Sequence, residues 1–471
     1  MDSGEILVGS NNNISVKAVN RHYLQGSTIK EIMVLPETQN GKLVAIVVPD
    51  LDHFRKTGEM DIRGEVEWEI EYYSQQLPLH ERICDIVLTN RELPQNQMEK
   101  IKANEIATLY QELAERRHQK RKSALAEERV SALGKSVVRV LQKKTGSDLI
   151  ALDDHLQLDL DFDSLALVEL LLALQETFGI QIQDGEFVGI FTVAELIRFI
   201  EDKHPYGFKE LEKREATWGK ILQAPPPLAI LKQIAIDEGV KARLFNLGSS
   251  LWLRFLLKLF FNLRVYGRER LGTGSYILSP NHCSFLDAFL LFAAVPQVLR
   301  SRLYFLGYNN YFEGTVIKSI TKFMHVVPVN SSRYLISAMQ ASAYILNQGG
   351  ILGIFPEGAR SLTGELRPFK KGVATLAKEV GAPLVPVYIH GSYQAWGPNA
   401  RFPRPHSIQI IFGQEFSADL LAAKGWEIKP GVQTYEAIIL GLRQEVLRLR
   451  EEVKSRTSSK CIKNSFRSNS V

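Results

Sequence analysis

At 471 residues the chain is longer than one ordinary domain and should divide into two to four units, each able to bury a core. A hydrophobic content of 45%, a charged content of 23% and a formal charge of +5 describe a globular protein whose basic bias is too small to argue for nucleic acid as a partner. Cys84, Cys283 and Cys461 are too few and too scattered for a disulfide framework or a zinc site, so no metal is expected and a reducing cytoplasm is.

The start, MDSGEILVGSNNN, has no basic segment followed by an apolar one, so no secretory signal is expected. Residues 28–50, TIKEIMVLPETQNGKLVAIVVPD, are two β-branched apolar runs around an Asn-Gly, a hairpin signal that opens a small α/β unit reaching residue 112. Residues 113–130 are dense in charge and in helix formers, which suits a solvated linker helix. From 131 to 204 the pattern is helical: SLALVELLLALQETFG ends at a glycine that can stop a helix, and TVAELIRFIED follows a threonine that can cap one. The proline triplet in ILQAPPPLAI reads as a second linker. Residues 225–452 alternate helical stretches with short β-rich runs, the pattern of a sheet covered by helices, and 453–471 form a polar tail expected to be disordered. Within this region SSLWLRFLLKLFFNLRVYG, residues 249–267, is interrupted by Arg254, Lys258 and Arg264 and falls short of the ~20 apolar residues of a membrane span. It reads either as a helix lying on a membrane surface or as a core helix with snorkelling basic side chains.

Residues 1–112 resemble the mobile C-terminal subdomain of the acyl-adenylate-forming ligases through KEIMVLPE, KLVAIVVPD and RELPQNQMEKIKANEI. The resemblance places Lys100 where the family keeps its catalytic lysine, with Asn96 and Glu99 in place of the usual Thr and Gly. It implies an incomplete ligase that depends on a separate acyl-adenylating ligase domain.

In LDLDFDSLALVEL, Ser164 follows an acidic loop and opens an apolar helix, so by itself it reads as a helix cap. The segment as a whole resembles the acyl carrier protein family, which implies a 4'-phosphopantetheine arm on Ser164 within the motif Asp163-Ser164-Leu165. Asp161 stands where that family has a glycine. The acidic residues Asp159, Asp161, Asp163 and Glu169 offer a docking face to basic partners.

NHCSFLDAF, residues 281–289, sets His282 and Asp287 five positions apart, too far round for one face of a continuous helix. They can meet if His282 sits in the loop after SYILSP and the helix begins later, although Ser284-x-x-Asp287 also fits a variant capping box, which is favoured on spacing alone. Two further loops shift the balance. GIFPEGARS ends an apolar run in Glu357, Gly358 and Arg360, and LRPFKKG brings Lys370 and Lys371 to a helix start, so phosphate is the natural guest. Cys283, adjacent to His282, reads as a packing residue.

The order H-x-x-x-x-D, F-P-E-G-x-R-S and PLVPVYIHGS resembles the glycerolipid acyltransferase family. The resemblance implies that His282 is the general base, that Asp287 orients it, and that Glu357, Gly358 and Arg360, together with Lys371, bind the glycerol phosphate. One segment departs from the family: Pro328-Val329-Asn330-Ser331 stands where a basic residue is usual, with Arg333 nearby.

The expectation is a multidomain protein: a small α/β ligase subdomain, an all-α carrier bundle and an α/β acyltransferase domain with helices covering a sheet. It would move a fatty acyl group from an acyl-carrier or coenzyme A thioester to a lysophospholipid hydroxyl, without a metal, as a cytoplasmic protein held peripherally on the cytosolic face of a membrane. The alternatives are a noncatalytic carrier that docks lipid and a subunit of an acyl carrier protein ligase.

Overall fold

The computed structural model describes residues 5–93, 131–203 and 218–468, apart from 9–11, 37–42, 59, 75, 79–80, 92, 183–185, 204–217, 235–239, 309–322, 330–334, 359, 362–363, 398–399 and 401. Lys100 with Asn96 and Glu99, the linker 113–130, and Asn330, Ser331 and Arg333 lie outside the described residues. The chain forms two compact units, residues 1–216 and 217–471.

The first unit holds two modules. After a short antiparallel pair, β1 (Glu5–Val8) and β2 (Asn12–Ser15), helix α1 (Val16–Tyr23) leads to β3 (Ile29–Pro36) and β4 (Leu43–Pro49), which pair antiparallel. Helices α2 (Leu51–Thr57) and α3 (Ile62–Ser74) then lead to β5 (Ile83–Leu88), parallel to β4. Strand β4 is buried along its whole length, which explains its unbroken apolar run: Ala45 and Val47 face a cluster with Val19, Phe54 and Ile62, while Val44, Ile46 and Val48 face one with Met33 and Leu35. Asp50 caps α2 by accepting from Asp52 N and His53 N, and Gly58, at φ 74°, ends it.

The second module is the helical one, with α4 (Ala132–Thr145), α5 (Ser164–Phe178) and α6 (Val193–Lys203). Leu141, Leu170, Leu174, Val193, Leu196 and Ile200 are fully buried. Gly179, at φ 64°, ends α5, and the Thr192 hydroxyl accepts from Glu195 N while Glu195 accepts from Phe191 N and Thr192 N, so both sequence signals act as expected. His155 is fully buried; its Nδ1 accepts from Gln157 N and Leu158 N, and burial lowers its pKa to about 4.

The two modules share a packed face. Phe191 belongs to the apolar cluster of Phe54 and Ile62, and the Arg55 guanidinium lies 5.0 Å from the Phe191 ring centroid and 2.5 Å from Glu195. The Gln157 amide fastens the seam at both ends, accepting from Ile62 N at 3.2 Å and donating to Met60 O at 2.5 Å.

The second unit begins before the proline triplet. Trp218 and Leu222 of α7 (Trp218–Gln223) are buried against α10 (Leu335–Asn347) and α11 (Gly372–Val380), so the helix preceding the prolines belongs to this unit and the domain edge expected at 225 moves back. Helix α8 (Val240–Phe261) ends because Asn262 adopts a left-handed φ of 44°, and strand β6 (Arg264–Tyr266) follows, so the helix expected over 249–267 stops at 261.

The other strands are β7 (Ile277–Pro280), β8 (Leu303–Tyr308), β9 (Val326–Val329), β10 (Ile351–Gly353), β11 (Leu384–His390) and β12 (Gln409–Phe412). The seven form one sheet in the order β6-β12-β11-β7-β10-β8-β9, with β11, β7, β10, β8 and β9 mutually parallel and β12 antiparallel to β11. Pro328 sits in β9 at the sheet edge, where a missing N–H costs little. Helix α9 (Asp287–Ala294) follows β7, and α12 (Ala418–Ile428) packs on α13 (Thr434–Ser468). The tail expected to be disordered from 453 instead continues α13 to Ser468. No Gly or Pro interrupts residues 442–471, and the pairs Lys454–Glu451 and Arg456–Glu452 support the extension.

Candidate active site

Strand β7 occupies the middle of the sheet, and its neighbour β10 runs parallel to it, so both strands end at the same sheet edge. The two leading motifs leave from those ends, His282 two residues after β7 and Glu357 four residues after β10, at the edge where α/β sheets keep their ligands. Asn281 locks the exit of β7 to the strand on its other side: its amide donates to Ile389 O at 3.1 Å and accepts from Ile389 N at 2.7 Å.

Helix α9 starts at Asp287, so the loop 281–286 is free to turn back over the helix start. Asp287 is fully buried, and its Oδ2 accepts from His282 Nδ1 at 2.9 Å and from the backbone N–H groups of Cys283 and Ser284, each at 2.7 Å. One carboxylate oxygen thus closes the turn ahead of α9 and holds the imidazole, while the N-cap is Leu286 with no side-chain cap, so the capping box expected from Ser284 and Asp287 does not form. Because Nδ1 donates to Asp287, Nε2 is left as the ring's acceptor. The Phe355 ring stacks on the imidazole at 4.0 Å, fixing its plane, and 22% of the His282 side chain stays open to solvent.

Glu357 is 2% exposed and binds backbone rather than lying open. Its Oε1 accepts from His282 N at 2.7 Å and its Oε2 from Arg367 N at 2.9 Å. Burial pushes this carboxyl up to about 8, against the opposing pull of the two N–H donors and of the Arg367 charge. Ser361 N donates to His282 O at 2.7 Å, so the residue carrying the imidazole is held by its own N–H and C=O to the loop after β10.

Gly358 has φ 74°, a conformation that favours glycine, and it lies close beneath the end of the Lys370 side chain. Lys370 is thereby placed over the Glu357–Gly358 turn, while Lys371 takes the position before α11. The Arg360 guanidinium lies over the Phe285 ring at 3.8 Å, on the loop that carries His282. Cys283 is buried beside Ser392 Oγ, and burial raises its thiol well above the ordinary range, which removes it as a nucleophile. The structure thus gathers His282, Asp287, Glu357, Gly358 and Arg360 at one edge. Lys370, expected at a helix start beside Lys371, joins them over the Gly358 turn, and Asn281, Phe355 and Ser361, which lie within the two leading motifs without being singled out there, take part through their contacts.

In the helical module the N-cap of α5 is Asp163, whose Oδ1 accepts from Ala166 N at 2.8 Å, so Ser164 is the first helical residue and not the cap. Asp161, in the preceding loop, holds a left-handed φ of 60°, the conformation a glycine would supply. Among the described residues no group of three or more His, Cys, Asp or Glu is arranged to hold a metal.

Comparison with known proteins agrees with this division. Residues 262–390 match the Acyltransferase family and residues 135–200 the Phosphopantetheine attachment site family. The 1-acyl-sn-glycerol-3-phosphate acyltransferase of Bacillus subtilis is 30% identical over 163 residues, 34% of this chain and 77% of its own length. A chloroplastic enzyme of the same name from Brassica napus is also 30% identical, over 34% of this chain and 46% of its own. The crystal structure of the 1-acyl-sn-glycerophosphate acyltransferase of Thermotoga maritima aligns with 48% of this chain and 88% of its own at 22% identity and a TM-score of 0.37. With a phosphopantetheine carrier domain ahead of a strand-end His–Asp pair, the chain belongs to the 1-acyl-sn-glycerol-3-phosphate acyltransferase family.

Proposed function

We propose that the protein moves a fatty acyl group from an acyl thioester to the free hydroxyl of a lysophospholipid, 1-acylglycerol 3-phosphate in the first instance. The observation that carries this reading is the imidazole of His282, tied through Nδ1 to the buried Asp287 and partly open to solvent. An alcohol must lose its proton as it attacks a thioester carbonyl, and an imidazole with an unprotonated Nε2 accepts it. Asp287 stabilises the imidazolium so formed. The tetrahedral adduct then expels the thiolate, which takes the proton back from His282. No acyl-enzyme is needed, in keeping with the suppressed thiol of Cys283.

Glu357 acts in this reading through His282, by holding its backbone, and Arg360 and the lysines beside Gly358 meet the acceptor's phosphate. A phosphopantetheine on Ser164 supplies a flexible thiol that carries the acyl group as a thioester and raises its local concentration. The likeness of the first module to a ligase subdomain supports a separate acyl-adenylating ligase as the partner that loads it. No helix among the described residues is long and apolar enough to cross a membrane. Exposed Leu251, Trp252, Phe255 and Leu259 on α8, interleaved with Arg254 and Lys258, support contact with a lipid surface, peripherally on its cytosolic face.

The test is lipid mass spectrometry after mixing the phosphopantetheinylated, acyl-loaded protein with lysophosphatidic acid, once without coenzyme A and once with acyl-coenzyme A. Phosphatidic acid that disappears with His282→Ala is the expected result, and its appearance without coenzyme A assigns the carrier as donor. No product from either donor would overturn the reading.

A further inference from the structure

We propose that Arg367 is a binding residue for the phosphate of the acyl acceptor, and so sets the preference of the site for a phosphorylated over a neutral glycerolipid. The proposal rests on the acyltransferase reading above and adds a residue that none of the sequence motifs singles out.

Placement is the first argument. The backbone N–H of His282 and that of Arg367 bond to the two oxygens of one carboxylate, Glu357. Two hydrogen bonds and the width of a carboxylate keep those nitrogens within about 8 Å of each other, inside the reach of an arginine side chain. Segment 364–370 is pinned there a second time, by Lys370 N donating to Pro356 O at 2.7 Å.

Chemistry is the second. Arg367 Nη1 is buried and has no hydrogen-bond partner among the described residues. A guanidinium nitrogen sealed from water without an acceptor is costly, and the nearby Glu357 carboxyl, whose oxygens accept from the His282 and Arg367 backbone N–H groups, makes no hydrogen bond to it. The Arg360 guanidinium already lies over Phe285. A phosphate brings several acceptor oxygens that a planar guanidinium fork matches in pairs. In a 1-acylglycerol 3-phosphate the reacting hydroxyl is on the carbon next to the one bearing the phosphate, so a hydroxyl at His282 puts the phosphate in the neighbourhood of the Glu357 loop. Replacing Arg367 leaves its backbone N–H on Glu357, so the tie to His282 survives the substitution.

Two readouts on the full-length protein test the proposal: calorimetric binding of glycerol 3-phosphate, and the ratio of kcat/KM for 1-acylglycerol 3-phosphate to that for 1-monoacylglycerol. In Arg367→Met the affinity and the ratio should each fall about tenfold to a hundredfold, through KM for the phosphorylated acceptor, with kcat on monoacylglycerol kept. Arg367→Lys should recover part of both, and Lys378→Gln, which removes an equal charge from the exposed Lys378–Asp419 pair, should change neither. Unchanged binding and ratio in Arg367→Met would overturn the proposal while leaving acyl transfer intact. So would equal losses on both acceptors, in the Met and Lys variants alike, with a lowered melting temperature, since that marks a structural role. Arg367-dependent binding in a wild-type protein that makes no product would sustain the site and overturn the reading it was built on. Neither binding nor product in the wild type would overturn both.

Discussion

Glu357 shows how much one buried side chain can hold. Its two oxygens join the backbone of the residue bearing the imidazole to the backbone of Arg367, and its burial raises its pKa to about 8. An unfolded chain would release this proton near the ordinary carboxylate range, so between about pH 4.5 and 8 the folded state binds more protons than the unfolded one. The stability this group contributes is therefore full at low pH and is lost as pH rises through about 8. Glu357→Gln should abolish that part of the decline when melting temperature is followed from pH 5 to 9. It should also cost about 1–3 kcal/mol, because an amide can accept from only one of the two N–H groups. A variant whose melting curve keeps the wild-type pH slope would show that another group titrates there.

The same residue marks the limit of what could be read in advance. His282, Asp287, Glu357 and Arg360 were recognisable as a set, but the expectation that Glu357 meets the glycerol phosphate came from the resemblance, and its burial points to a positioning part instead. The pairing of His282 with Asp287 could not be told from a helix cap on spacing; in the structure Asp287 pairs with His282 and closes the turn ahead of α9, and the helix has no side-chain cap. The stacking of Phe355 on His282 was not legible because it depends on β10 lying beside β7, a pairing between segments more than seventy residues apart.

At the scale of elements, the starts and stops written in the chain were legible where the cause is local. Gly179 ends α5, Thr192 and Glu195 box the start of α6, and the apolar runs on either side of Asn-Gly do pair as antiparallel strands. Where the cause is distant they were not: α7 belongs to the second unit because Trp218 is buried against helices more than a hundred residues later. The tail misled for another reason, a polar composition that helix propensity, with an i,i+3 and an i,i+4 pair at its start, carries on as α13, a helix of 35 residues and about 52 Å. The loop before α5 makes a sharper case. Asp161 holds φ 60°, a conformation that costs a side chain about 1 kcal/mol, and its link to Arg63 is 3.5 Å long with the Asp 74% exposed. Asp161→Gly is accordingly expected to stabilise the carrier module by about 0.5–1 kcal/mol in denaturant unfolding. A loss of stability would mean that the Arg63 link outweighs the backbone conformation.

At the scale of the whole molecule, the chain joins an apparatus for holding an acyl group to one for transferring it, each in its own compact unit. Length bounded the number of units at two to four, while the division within them came from patterning. Within the first unit the ligase-like and carrier modules are not beads on a string: Phe191 sits in the other module's apolar cluster, Arg55 bridges to Glu195, and Gln157 bonds twice across the seam. A protein joined this way should tolerate being cut. Nicked between residues 113 and 130, its two pieces should still elute together on gel filtration, and Gln157→Ala with Arg55→Ala should let them separate; pieces that part in the unaltered protein would show the seam to be weaker than its contacts suggest. The packed seam, and not chain continuity, then keeps the two modules together, so they can be supplied as separate polypeptides that find each other.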